Sequence, residues 1–189
     1  AEDMIAADGA IIPADGLLEI VSVDENGNAA CKTDLPFGSY YLKELSTDSH
    51  YMLSDATYPV VFEYAGQEIA LVEIKANDGN AIDNALLYGE VHGLKKDENG
   101  NGLNGALIGL FCSDETVFTA DTAIRTTVSS EDGAFTFTGI PYGNWIVREI
   151  EAPAGYVMSD VSYPVTIDAD GTVVEVEIIN TVIRGNVQR

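Results

Sequence analysis

Three side chains far apart in this chain have types that could react with one another: Lys95 is an amine, Asn180 a carboxamide, and Glu149 an acid able to carry a proton between them. A side-chain amine that attacks a side-chain carboxamide forms an amide and releases ammonia, provided that the amine is unprotonated and the carbonyl is polarised. Lysine in water is almost wholly protonated at neutral pH, so the site must exclude water and lower the pKa of the amine. Burial also favours the neutral form of a carboxylic acid. A neutral acid at position 149 can hydrogen-bond the Asn180 carbonyl oxygen and ferry a proton to the departing ammonia. A fold that holds the reactants together supplies an effective molarity of about 10⁵ M or more.

The elements that must position these groups are strands, in which every second side chain shares a face. Asn180 falls with Val174, Val176 and Ile178, while Glu175 and Glu177 fall on the opposite face. Glu149 falls with Trp145 and Val147, and Lys95 with Val91. All three polar groups therefore point toward a core. Taken singly, each fits a solvated strand end, with Lys95 and Glu149 as a rim ion pair and Asn180 as a turn residue. Their common inward parity favours the cross-link, which would close a loop of 85 residues (180 − 95).

The chain repeats itself. Leu35 to Phe62 aligns without gaps on Ile140 to Ile167 at an offset of 105, with 9 identities in 28 positions. A second match at an offset of 96 places Asn84 to His92 on Asn180 to Gln188. These offsets predict a first module over residues 1–88, a complete module over 89–182, and the start of a following one over 183–189. Lys95 would have its counterpart at position 191, beyond Arg189, and the first module is expected to lack its opening strand and the lysine carried there. In that module Glu44 shares a face with Tyr40 and Leu42, so it is the expected equivalent of Glu149. Asn84, which lies with Ile82 and Leu86, is preferred over Asn77 as the equivalent of Asn180. No lysine is placed beside it, Lys32 and Lys75 being poor substitutes.

Short alternating runs such as Ala134 to Phe137, Tyr163 to Ile167 and Val173 to Ile179 are bounded by the turn signals Asp132-Gly133, Pro141-Tyr142-Gly143 and Asp170-Gly171. This pattern predicts an all-β chain of two tandem immunoglobulin-like or prealbumin-like sandwiches. Ser113 to Thr122 and Ala1 to Ala7 are the segments expected to form a short helix or a loop.

The net charge of −22, from 31 acidic and 9 basic residues, repels phosphates and anionic lipid heads, which argues against nucleic-acid partners. No run is long enough for a membrane-spanning helix, and none reads as a signal peptide. Cys31 and Cys112 read as small core residues rather than a disulfide framework. Asp97-x-Asn99-x-Asn101-Gly102 imitates the start of a calcium loop, but Ile108 stands where a bidentate glutamate is needed, and Asp24-x-Asn26-x-Asn28 lacks the glycine as well. Both read as turns. His50 and His92 are the only histidines, and His92 falls opposite Lys95, so no metal site or hydrolase triad is expected, and no cofactor.

The middle module carries Gly89-x-Val91-x-x-x-Lys95-x-Asp97-x-x-Gly100, Leu103-x-Gly105-Ala106, Gly133-x-Phe135-x-Phe137, Ile140-Pro141-x-Gly143, Glu149-x-x-Ala152-Pro153-x-Gly155-Tyr156 and a closing Asn180-Thr181. It resembles the collagen-adhesin B-type module, the prealbumin-like sandwich repeated in surface adhesins and SpaA-type pilins of Gram-positive bacteria. The resemblance implies an extracellular stalk repeat of a cell-wall-anchored protein, with an isopeptide bond between Lys95 and Asn180 promoted by Glu149. Neighbouring modules of the same polypeptide are its implied partners. A module that binds a host protein or glycan is the alternative; Tyr88 and Tyr142 are candidate aromatic contacts for it, though tyrosine at a turn or module junction is more often packing, and the sequence shows no concentration of aromatics. An enzyme acting on external substrates finds no nucleophile, base and orienter in the sequence. Gly93 departs from the pattern, where the family has an apolar residue, and is expected to weaken the packing beside Lys95.

Overall fold

Alternation of apolar and polar residues sets which face of each strand turns inward in the structure, a computed structural model that describes residues 3–6, 8–67 and 74–185. Apart from one 3-10 turn at Ala76–Gly79, the regular structure of the described residues is β-strand. The chain divides into two compact units, one of Ala1–Ser46 with Leu53–Asp83, the other of Thr47–Met52 with Asn84–Arg189.

The first unit holds β1 (Met4–Ile5) paired with β2 (Ile11–Ile12), and β3 (Gly38–Lys43) paired with β4 (Thr57–Phe62), both antiparallel. Met4–Ile5 is thus a strand, where a short helix or loop was expected, because Ile5 and Ile11 form a bridge across a tight turn. None of the described residues of this unit is fully buried.

The second unit is a sandwich of two four-stranded sheets. One runs in the order β10 (Tyr156–Val157), β12 (Val173–Val182), β5 (Tyr88–Asp97), β8 (Ala134–Pro141); the other in the order β11 (Tyr163–Ile167), β9 (Gly143–Glu151), β6 (Leu107–Cys112), β7 (Arg125–Val128). Inward side chains of both sheets fill the space between, among them Val91, Ile108, Leu110, Phe137, Val147, Val165 and Ile178. Full burial of each such side chain stabilises by about 1.5–3 kcal/mol, before conformational entropy is counted. The last strand lies parallel to the first, with Val174 opposite Val91 and Ile178 opposite Lys95. All other strand pairs in the unit are antiparallel.

Several hydrogen bonds recur at the two offsets of the sequence repeat, 105 and 96. Tyr40 donates its hydroxyl to the Pro36 carbonyl at 2.5 Å, and Trp145 donates its indole N–H to the Pro141 carbonyl at 3.0 Å. Tyr40 pairs with Val60 as Trp145 pairs with Val165. The ribbon Thr47–Met52 is a feature the sequence reading missed: Leu87 donates its N–H to the His50 carbonyl at 3.0 Å, as Ile183 does to the Gly155 carbonyl at 2.9 Å.

Two further expectations are corrected, and one is resolved between its stated alternatives. Cys31 and Cys112 are exposed thiols, Cys112 because it stands at the last position of β6, past the end of the packed interior. Of the two forms expected for Ser113 to Thr122 the loop is the one present, and in it the Glu115 carboxylate accepts the N–H groups of Thr116 and Val117. Phe118 of that loop meets Phe111 edge-on at 5.0 Å and carries the Arg148 guanidinium 4.5 Å from its ring centroid. Gly93 does not weaken the packing. Phe135, opposite it on β8, lays its ring where a Cβ of residue 93 would stand. Gly93→Val is expected to cost about 1–3 kcal/mol through overpacking, read as a lower urea midpoint at unchanged m-value.

Candidate functional site

Lys95 and Asn180 reach one place because β5 and β12 are neighbours in the same sheet. The parallel register sets Ile178 opposite Lys95 and Asn180 opposite Asp97, so the carboxamide is the diagonal neighbour of the lysine on the inward face. Glu149 comes from the other sheet, where β9 pairs it with Ile108 of β6 and the pleat directs it across the interior. Lys95 is 0% exposed, Glu149 1% and Asn180 1%. A rim ion pair with a turn asparagine is therefore not what the fold builds.

The three groups converge on one oxygen. Asn180 Nδ2 donates to Glu149 Oε1 at 2.8 Å, and Lys95 Nζ stands 3.6 Å from the same Oε1. Lys95 Nζ also donates to the Ile178 carbonyl oxygen at 3.2 Å. The second carboxyl oxygen, Glu149 Oε2, accepts the backbone N–H of Ser159 at 2.7 Å. Asn180 Oδ1 is buried and has no hydrogen-bond partner, a costly state for a polar atom. A half-turn of the carboxamide, which nearly conserves its shape, would present that oxygen to Glu149 Oε1.

Removal from water pulls the Lys95 pKa below its ordinary value, and the nearby Glu149 charge and hydrogen bond act against that pull. The Tyr163 phenol is pushed up by desolvation first, then by the charges of Glu149 and Glu177.

Ser159 is a contact that strand parity does not reveal, because its backbone rather than its side chain meets the acid. The repeat did carry a signal for it, since Ser54-Asp55 and Ser159-Asp160 coincide at the offset of 105. In the first unit the half-buried Glu44 accepts the Ser54 N–H on Oε2 at 2.8 Å, the same bond again. Asn84 is half-buried in the second unit and donates Nδ2 to Thr47 Oγ1 at 2.7 Å. Asn77 lies instead in the 3-10 turn at Ala76–Gly79 and donates to the Ala81 carbonyl at 2.9 Å.

The remaining polar motifs resolve into turns and surface pairs. Asp97 Oδ1 accepts the N–H groups of Asn99 and Asn101, both at 2.8 Å, and its Oδ2 the Asn101 amide at 2.9 Å. Asp24 makes the same turn with Asn26 and Asn28. Among the described residues no group of three or more His, Cys, Asp or Glu is arranged to hold a metal ion. His92 sits on the face away from Lys95 and contacts Glu90 at 2.9 Å. No helix of the described residues is long and apolar enough to cross a membrane.

A family model described as SpaA, prealbumin-like fold domain, matches residues 89–182. That module belongs to the SpaA prealbumin-like family. The fold of the chain is shared with the Bacillus anthracis TIE protein, at a TM-score of 0.69 and 21% identity over 90% of this chain and 30% of that one. It is shared also with a C-terminal fragment of the pilus adhesin SpaC from Lactobacillus rhamnosus GG, at a TM-score of 0.53 and 16% identity over 93% of this chain and 96% of that one. The chain thus spans less than a third of the TIE protein's length. No curated protein matches it.

The lowered Lys95 pKa in the SpaA-type domain gives a signed prediction for the variant Asn180→Ala, which cannot form the amide. Between the folded Lys95 value and the ordinary 10.5, the unfolded chain binds more protons than the folded one, so stability rises with pH across that window. Adding Lys95→Met should abolish this rise in denaturant titrations run at a series of pH values.

Proposed function

We propose that residues 89–182 are a stalk repeat of a Gram-positive cell-surface protein, an adhesin or pilin, and that an amide between Lys95 and Asn180 locks the repeat. The observation that carries this reading is the meeting of a desolvated amine, an acid and a carboxamide at one oxygen inside the sandwich. In the same reading, residues 1–88 are a second module of this type, with Glu44 and Asn84 in the roles of Glu149 and Asn180, and residues 183–189 begin a third.

The chemistry follows from the groups present. Proton transfer from the Lys95 ammonium to the Glu149 carboxylate leaves both groups neutral, and the acid so formed donates toward the Asn180 carbonyl oxygen and polarises it. The lone pair of Lys95 Nζ attacks Asn180 Cγ, the Nζ–Cγ bond forms and the Cγ–Nδ2 bond breaks. One proton of the lysine nitrogen passes through Glu149 to the departing nitrogen, which leaves as ammonia. The glutamate is restored. The reaction needs no cofactor and runs once per molecule, so no external substrate is turned over.

The topology makes the bond a mechanical device. Because β5 and β12 run parallel, the start of the first strand and the end of the last lie at opposite ends of the sheet. Tension entering at Gly89 travels along β5 to Lys95, crosses the amide and leaves through Thr181. The residues between 96 and 179 lie outside the load path. An amide is also indifferent to the redox conditions that open a disulfide.

Single-molecule stretching of a polyprotein attached before Gly89 and after Val182 tests this function. The native module should show no release of the residues between 95 and 180. Asn180→Ala should unfold with a length gain on the order of 290 Å, from about 3.4 Å per extended residue, and lose on the order of 4 kcal/mol of stability. The same gain in the native protein would rule out the locked-stalk reading.

A further inference from the structure

The acid form of Glu149 in the proposed reaction can carry its proton on either of two oxygens, and their surroundings differ. Glu149 Oε2 faces the Ser159 backbone N–H at 2.7 Å, while Oε1 faces Asn180 Nδ2 at 2.8 Å and Lys95 Nζ at 3.6 Å. An N–H can only donate, so the oxygen opposite it must accept. A carboxyl carbonyl oxygen accepts more strongly than a carboxylic hydroxyl, so the short bond from Ser159 favours Oε2 as the carbonyl and Oε1 as the hydroxyl.

We propose that Ser159, through its backbone N–H, is a positioning residue that forces the proton of neutral Glu149 onto Oε1, the oxygen shared by both reacting groups. This rests on the amide-forming reading of the site. Ser159 touches neither reactant and acts only through the glutamate. Its effect is to select one of two otherwise equivalent neutral forms, much as a hydrogen bond to one imidazole nitrogen selects a histidine tautomer.

The rest of the geometry agrees with a proton on Oε1. With the Asn180 carboxamide turned by half, its oxygen, now buried without a partner, receives that proton as a hydrogen bond. Lys95 Nζ donates one N–H to the Ile178 carbonyl at 3.2 Å and stands 3.6 Å from Oε1. The titratable neighbours whose interactions with Glu149 are identified are Lys95, on β5 of the facing sheet, and Tyr163, on β11 of its own sheet. Neither contacts Oε2 with a hydrogen bond. The assignment of Oε2 as acceptor falls to Ser159 alone among the described residues.

The Ser159 hydroxyl does not enter this argument, since it serves as acceptor for the Val161 N–H at 3.4 Å. Ser159→Ala keeps the backbone donor and Ser159→Pro removes it. Intact mass under denaturing conditions, followed from the time of cell-free synthesis, reports the loss of one ammonia and hence the rate. Ser159→Ala should react within about twofold of the native rate and Ser159→Pro at least about tenfold more slowly, the loss expected when a buried hydrogen bond is removed. Equal rates in the two variants, fast or slow, overturn the proposal.

A second readout holds whether or not Ser159→Pro folds. In Glu149→Gln the Ser159 N–H should bind the side-chain carbonyl oxygen, which turns the glutamine NH₂ toward Asn180 and Lys95. Nuclear Overhauser contacts from that NH₂ to Asn180 side-chain protons support the assignment, and contacts to the Ser159 amide proton overturn it. The two readings separate cleanly. No ammonia loss in the native protein defeats the cross-link itself, whereas native loss with equal rates in the two Ser159 variants defeats only the role of Ser159.

Discussion

The desolvation of Lys95 against Glu149 is the constraint on which the site depends. An amine and an acid at 0% and 1% exposure have surrendered their hydration, and their 3.6 Å approach returns only part of that loss. A packed set of apolar side chains in the same volume would stabilise a sandwich as well or better. The arrangement therefore makes poor sense as a stability device, which is what favours the proposed reactive role. The same dehydration that penalises the pair pulls the lysine pKa down and strengthens every dipole aimed at the carboxamide.

That constraint reaches into the fold. The amine and the carboxamide sit on adjacent strands, and the parallel pairing of β5 with β12 supplies their diagonal contact while leaving the start of β5 and the end of β12 at opposite ends of the sheet. The acid must come from the facing sheet, so the interior has to close tightly at that level. Phe135 over Gly93 contributes here, because a ring in place of a side chain on β5 fills the layer next to Lys95 without pushing the strand outward. Ser159 holds the far oxygen of the acid from a segment outside the sheets.

Much of this was legible in the residues because β-structure has a period of 2. Val174, Val176 and Ile178 fix the face on which Asn180 lies, and Trp145 and Val147 do the same for Glu149, so inward parity needed no three-dimensional information. The internal repeat located both copies of the glutamate and, through Ser54 and Ser159, held a hint of the backbone contact. Parity fails where a neighbour decides the outcome. Gly93 looked like a defect because the ring that covers it comes from β8, forty-two residues on (135 − 93). Cys112 had the correct inward parity and still lies exposed, since strand ends outrun the core. The ribbon Thr47–Met52, which pairs through main-chain bonds, carries no pattern that side-chain types could signal.

The chemical claim reduces to connectivity. Tandem mass spectrometry of a complete proteolytic digest tests it most directly, since an amide between Lys95 and Asn180 survives cleavage of the backbone on either side. The account predicts a branched peptide in which the β5 segment bearing Lys95 and the β12 segment bearing Asn180 are joined with the loss of one ammonia. Recovery of Lys95 and Asn180 only in separate, unmodified linear peptides would contradict it.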